Sequence, residues 1–126
     1  KMENFKIKRC KKCGAMVRVY EDCNCSGCGI QCCGEPMEEL KANSTDAAVE
    51  KHVPVYEVKG DKIVVRVNHV MEEEHFIEWI MLVTKERECL VRLEPGKEAV
   101  AEFHYVPGST VYEYCNKHGL WKVEVE

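Results

Sequence analysis

The segment Lys62-Ile63-Val64-Val65-Arg66-Val67-Asn68-His69-Val70-Met71-Glu72-Glu73-Glu74-His75-Phe76-Ile77-Glu78-Trp79-Ile80-Met81-Leu82-Val83-Thr84 reads as two strands joined by a polar loop. In its first part Ile63, Val65 and Val67 alternate with Lys62, Val64 and Arg66, the period-two pattern of a strand with one buried face. Its last part, residues 76–84, is a mostly apolar run of the length of a buried strand. Glu72, Glu73 and Glu74 between them read as a solvated turn. The same β pattern starts upstream at Val55 and continues downstream through residues 88–93, 98–106 and 120–125. Ala99, Ala101, Phe103 and Tyr105 share one face of the 98–106 run. Turn signals stand at Gly60-Asp61, Pro95-Gly96 and Pro107-Gly108. Short strands separated by regular turns predict a mainly β chain built as an antiparallel sandwich.

The sequence ahead of this sandwich has a different composition. Residues 1–37 hold few apolar side chains beyond Phe5, Ile7, Met16, Val17, Val19, Tyr20 and Ile30. A domain this small needs a metal, disulfides or a partner. Seven of the nine cysteines of this 126-residue chain fall between Cys10 and Cys33. A secreted disulfide framework is the ordinary reading of so many cysteines. The odd count, the adjacent Cys32-Cys33 and the close Cys10/Cys13 pair favour metal ligation in a reducing cytoplasm instead. The expected organisation is a metal-bound domain over residues 1–37 and a sandwich over residues 38–126. Residues 16–20 read as a short strand and residues 22–29 as a loop. Residues 38–43 read as a polar linker, and residues 44–48 as a helical turn with cap-type residues before two alanines.

Bulk properties exclude several classes. No run of about 18 apolar residues is present, so no transmembrane helix is expected. No basic-then-apolar leader marks the chain for secretion. The net charge of −4 comes without a basic block, which argues against a nucleic-acid partner.

Four of the five histidines sit in three short motifs. His52 lies in Glu50-Lys51-His52-Val53-Pro54-Val55, while His69 and His75 bracket the glutamate turn. Cys115 and His118 are three apart around a turn ended by Gly119. Imidazole suits iron, copper, zinc and nickel, and thiolate is a soft anionic ligand. Four imidazoles and one thiolate would leave one position of a six-coordinate metal open to a small substrate. His104, in the 98–106 strand, reads as outward-facing. Cys89, in a strand with no partner motif, reads as a buried free thiol.

The motifs EKHVPV (50–55), HVMEEEHFIEWI (69–80) and EYCNKHGLWK (113–122) resemble the desulfoferrodoxin and neelaredoxin family, the superoxide reductases. Cys10-Lys11-Lys12-Cys13, followed by Cys32-Cys33-Gly34-Glu35-Pro36-Met37, resembles the desulforedoxin-like domain that precedes the catalytic domain in many members. The resemblance covers nearly the whole chain and implies an immunoglobulin-like sandwich. It implies a catalytic iron held by His52, His69, His75, Cys115 and His118, with Lys51 drawing in the superoxide anion. Glu50 matches the glutamate that occupies the sixth position in the oxidised resting state. It further implies a second iron on Cys10, Cys13, Cys32 and Cys33, a homodimer, and re-reduction by rubredoxin or a similar small carrier. Cys23, Cys25 and Cys28 depart from the family pattern, in a loop longer than usual. Three readings stand for them: free thiols, participants in an iron–sulfur cluster held by a different four of the seven, or ligands of a second metal. Thiolates serve zinc and iron–sulfur centres alike. Two other function classes stand beside the enzyme: an electron-transfer protein without its own substrate, and a structural zinc protein.

Overall fold

The computed structural model describes residues 5–126. Strands β1 (Ile7–Arg9), β2 (Met16–Arg18), β3 (Gln31–Cys32), β4 (Glu35–Pro36) and β5 (Glu38–Glu39) form a three-stranded antiparallel sheet in the order β2-β1-β5 and a separate β3-β4 hairpin. Lys8 pairs with Glu39 and Arg9 with Glu38 across β1 and β5, and the Leu40 amide donates to the Ile7 carbonyl at 2.9 Å. Residues 38–40 therefore belong to the first unit, which runs to Lys41, rather than to a linker. A two-residue, all-polar strand escapes a hydrophobicity-based reading because it has no apolar alternation; backbone pairing with β1 places it. Residues 1–4 of the expected first domain lie outside the described residues. Inside the unit Ile7, Val19, Met37 and Cys10 are buried, and little else apolar is. The loop from Asp22 to Gly29 carries no strand, as expected. Its root is fixed by Asp22, which takes Lys6 at 2.9 Å and Lys8 at 3.0 Å.

The second unit begins at Ala42. The helical turn expected over 44–48 is displaced to a 3₁₀ helix at Val49–Lys51. Ala48 is extended, with φ −67° and ψ 116°, and Pro54 disfavours helix at Val53, so only this single turn fits between them. Strands β6 (Val55–Lys59), β7 (Lys62–Arg66), β8 (Ile77–Val83), β9 (Glu88–Arg92), β10 (Val100–His104), β11 (Thr110–Cys115) and β12 (Gly119–Glu124) follow. They form two antiparallel sheets, β10-β7-β6 and β12-β11-β8-β9. Their inner faces meet in one core: Ile63 and Val65 of β7 and Ala101 and Phe103 of β10 from one sheet, Ile77, Ile80 and Leu82 of β8 and Val111 and Cys115 of β11 from the other. This is the antiparallel sandwich that the strand pattern predicts, in the immunoglobulin-like form that the family resemblance implies. No helix among the described residues is long and apolar enough to cross a membrane.

Two strand-level expectations change. β11 is central and buried along its whole length, yet no strand is predicted at residues 110–115. Both of its faces are covered, so no apolar–polar alternation marks it. Cys89 is free but exposed rather than buried. It lies on β9, the edge strand of its sheet, beside the exposed Leu90. His104 is exposed opposite the buried Phe103, as its place in the alternation requires.

Candidate metal centres

β11 carries Val111, Glu113 and Cys115 on its inward face by the strand period of two. Beyond Tyr114, which pairs with Trp79, the register jumps so that Cys115 pairs with Ile77 and skips Glu78. Such a bulge re-aims a side chain and is frequent beside functional sites. Here it sets Cys115 at the foot of the segment bearing His75. Cys115 also pairs with Gly119, closing a hairpin whose three connecting residues end in His118. Gly119 has φ +86°, and an added Cβ would stand 3.0 Å from Thr45 Oγ1, so both conformation and space call for glycine.

The loop between β7 and β8 is shaped by its own backbone. The Glu72 and His75 amides donate to each other's carbonyls at 2.9 and 3.1 Å, turning out the three exposed glutamates as expected. Asn116 ties this loop to the hairpin. Its Oδ1 accepts the Phe76 amide at 3.0 Å, and its Nδ2 donates to the Glu74 carbonyl at 3.0 Å. The two residues flanking His75 are thus bound to the residue following Cys115.

His52 caps the 3₁₀ helix, and its Nδ1 donates to the Ala48 carbonyl at 2.8 Å. Trp121 stacks on its ring, 4.9 Å between centroids and 24° between planes, and donates its indole N–H to the His118 carbonyl at 3.1 Å. His69 Nδ1 donates to the Val70 carbonyl at 2.6 Å. The Nδ1 bonds of His52 and His69 fix the tautomer of each ring and leave its Nε2 with a free lone pair.

The free atoms converge. His52 Nε2 is 3.1 Å from His118 Nδ1, and Cys115 Sγ is 3.5 Å from His69 Nε2 and 3.8 Å from His118 Nδ1. His75 Nε2 is buried without a hydrogen-bond partner among the described residues. One donor atom from each of His52, His69, His75, Cys115 and His118 lies within 4.8 Å of every other. Five donors facing one another are satisfied together by a cation. The residues present therefore fit a resident metal, and imidazole with thiolate suits iron. Burial lowers the pKa of His69 and His75, keeping both imidazoles neutral. Burial, first of several causes, raises that of Cys115, so its ionisation is coupled to metal uptake. His52 and Cys115 are buried whereas His69, His75 and His118 are partly exposed, which gives the pocket a closed and an open side.

Glu50 and Lys51 lie on the exposed 3₁₀ helix immediately before His52, outside the converging group. Glu113 is a buried residue that the sequence reading passes over. Its carboxylate is fully buried between Val111 and Cys115, meets no hydrogen-bond partner among the described residues, and burial pushes it up to about 9. The available signal was a glutamate two residues before Cys115 in an inward position. Trp121 and Asn116 were legible only as letters of a motif, not as supports for the histidines.

In the first unit Cys10, Cys13, Cys32 and Cys33 bring their sulfurs within 4.8 Å of one another. Cys13 Sγ and Cys32 Sγ are 3.6 Å apart. The Cys13 amide donates to Cys10 Sγ and the Ala15 amide to Cys13 Sγ, both at 3.4 Å. Chiefly through the Cys13 amide, Cys10 is pulled down to about 7. The turns around these sulfurs use φ +82° at Gly14, +77° at Gly34 and +53° at Cys33. Four sulfurs at this spacing fit a tetrathiolate metal. Of the remaining three cysteines in this unit, Cys23 is free, but Cys25 and Cys28 are joined in a disulfide, which corrects all three expectations for those two: they are neither free thiols nor cluster or second-metal ligands here.

A family profile described as Desulfoferrodoxin matches residues 44–124. The chain is 43% identical over 127 aligned residues to a desulfoferrodoxin of Syntrophotalea carbinolica, covering 97% of this chain and 98% of that one. It is similar to the crystal structure of the superoxide reductase from Treponema pallidum at TM-score 0.67 and 29% identity, covering 87% of this chain and 93% of that one. It is also similar to the one-iron superoxide reductase of Giardia intestinalis, at TM-score 0.55 and 33% identity, covering 61% of this chain and 98% of that one. The five-donor and four-sulfur groups are consistent with the two iron centres of desulfoferrodoxin-family proteins.

Proposed function

Because the chain belongs to the desulfoferrodoxin family, we propose that it is a superoxide reductase whose reaction takes place at His52, His69, His75, Cys115 and His118. The observation that carries this reading is the convergence of one atom from each of these five residues within 4.8 Å. The solved superoxide reductases to which the chain is similar support the choice of substrate. Superoxide takes up one electron and two protons and leaves as hydrogen peroxide. Ferrous iron, when bound by these residues, supplies that electron.

The residues of the chain set the conditions. Four neutral imidazoles and one thiolate contribute a single negative charge, so a divalent cation among them keeps a net positive charge toward an arriving anion. Lys51, next to the ligand His52, adds local focusing on an acidic protein. Cys115 donates electron density, which stabilises the oxidised state and favours reduction of superoxide over its oxidation; the thiolate in thiolate-ligated haem exerts the same push. Trp121 and the sandwich core exclude water from the closed side, while the partly exposed histidines face the solvent that supplies protons. Glu50 would serve as the sixth ligand of the oxidised resting state, the role that its match to the family's glutamate implies.

An external carrier of the rubredoxin class returns the spent electron. Cys10, Cys13, Cys32 and Cys33 hold the second iron as a mononuclear centre. The Cys25–Cys28 disulfide supports that choice over a cluster built on those two sulfurs. A homodimer joined through the first unit would supply the apolar burial which that unit lacks by itself. Seven unpaired cysteines suit a reducing compartment such as the cytoplasm.

Iron-loaded, reduced protein mixed rapidly with superoxide tests the reading. Oxidation should be second order, with one hydrogen peroxide released per superoxide consumed. Removing an outer partner of a metal ligand typically costs about 10–100-fold, so Cys115→Ser should cost more than about a hundredfold. Iron-loaded protein that exchanges electrons with a carrier but leaves superoxide untouched would make this an electron-transfer protein instead.

A further inference from the structure

The sequence Cys23-Asn24-Cys25-Ser26-Gly27-Cys28 stands apart from both metal-ligand sets. Cys25 and Cys28 are bridged across two intervening residues, and Gly27, at φ +74°, allows the tight return. Every residue from Cys23 to Cys28 is exposed, so the bridge packs against no core. Asp22 pins the root of the loop through Lys6, Lys8 and its own acceptance of the Cys23 amide at 2.9 Å. The anchor thus lies outside the bridge and persists when the bridge opens. A disulfide stabilises mainly by closing a long loop, and this one closes about the shortest that occurs. Spacing of the C-x-x-C type favours the thiolate, and access favours exchange. The Cys10, Cys13, Cys32 and Cys33 group is complete without these two sulfurs.

We propose that Cys25 and Cys28 are a reversible dithiol–disulfide couple, a site of thiol–disulfide exchange with a protein dithiol, independent of both metal centres. The external thiolate attacks one sulfur of the bridge, the S–S bond breaks, and the other sulfur leaves as a thiolate. The second external thiol then displaces the mixed disulfide. Two electrons and two protons pass to Cys25 and Cys28, and the external dithiol departs as a disulfide. The reverse sequence reoxidises the pair. No helix N-terminus adjoins the motif, so the loop is a recipient of exchange rather than an oxidoreductase centre in its own right.

Full-length, iron-loaded protein equilibrated in mixtures of reduced and oxidised dithiothreitol, then alkylated and mapped by peptide mass spectrometry, tests this. Cys25 and Cys28 should gain two alkyl groups together in reducing mixtures and none in oxidising ones, reversibly. Iron content and far-UV circular dichroism should not change. Cys25→Ser and Cys28→Ser should each abolish the two-group step. A bridge that opens only after denaturation, or a reduced form that loses the metal of the four-sulfur group, would make it a structural staple and overturn the proposal. So would alkylation of both cysteines in every mixture, a bridge that includes Cys23, or stoichiometric uptake of zinc by the reduced loop.

Discussion

The five-donor group and the four-sulfur group are assembled in opposite ways. The five-donor group hangs from a sandwich that has its own core, with Ile63, Val65, Ile77, Ile80 and Val111 all fully buried. Its ligands are held by contacts that need no metal: Ala48 and Trp121 on His52, Val70 on His69, and Asn116 across the residues flanking His75. The four-sulfur group hangs from turns in a unit whose buried residues, among those described, are Ile7, Val19, Met37 and Cys10, itself one of the four. In the sandwich the fold builds the site. In the first unit the site builds much of the fold, because chain entropy there has little burial to oppose it.

Metal removal is the strongest way to break this comparison. Structural metal binding in small domains is folding free energy. A chelator should therefore bring backbone amides of the first unit to unprotected hydrogen-exchange rates, while Ile63, Val65, Ile80 and Val111 stay protected. Zinc added back should restore protection of the first unit, since four thiolates suit zinc as well as iron. Native protection in the metal-free first unit would show that its small core suffices.

Asn116 sharpens the same contrast inside the sandwich. Asn116→Ala removes two hydrogen bonds that tie the His75 segment to the Cys115 hairpin. At about 0.5–1.5 kcal/mol net each, they contribute roughly 1–3 kcal/mol to holding that loop. As outer support for two ligands, the loss should weaken iron affinity by about 10–100-fold while the sandwich stays folded. Iron titration with thermal melting of the metal-free variant separates the two effects. An affinity equal to wild type would mean that the core alone positions His75.

What was legible in the sequence follows this division. β7 and β8 were readable because one alternates and the other is long and apolar. β11 was not, since burial on both faces erases alternation, and Glu113 puts a carboxyl where a strand reading expects an apolar side chain. β5 was hidden for the opposite reason: its two glutamates offer no apolar side chain to read, and only backbone pairing opposite Lys8 and Arg9 makes them a strand. The ligand histidines and cysteines were legible as residue types at suggestive spacing. Their convergence was not, because it depends on a bulge at Glu78 and on bonds from Ala48, Val70 and Asn116 that leave no periodic trace. The Cys25–Cys28 bridge was not among the readings of free thiols, a cluster or a second metal, because clustering and an odd count of cysteines point to metal ligation and leave no mark of a local pairing.

The smallest expected effect concerns Lys51, which differs from the ligands in being exposed on the 3₁₀ helix rather than held in the pocket. For an anion about 6 Å from its ammonium at an effective dielectric of about 20, Coulomb's law gives roughly 3 kcal/mol of attraction. Solvent and salt around an exposed side chain reduce this to about 1–2 kcal/mol. Since each 1.4 kcal/mol is about tenfold in rate, Lys51→Ala should slow the reaction of the reduced protein with superoxide by roughly tenfold. No donor atom of the five is lost, so the visible spectrum should hold. The dependence of the rate on ionic strength should flatten, because a steering charge acts through the screened field. Glu50→Ala should separate from it, altering the spectrum of the oxidised protein with little effect on the encounter of the reduced one. Rapid mixing at several salt concentrations reads both. If Lys51→Ala kept the wild-type rate and salt slope, attraction would come from the metal centre alone, and the exposed helix would serve only to carry His52 into place.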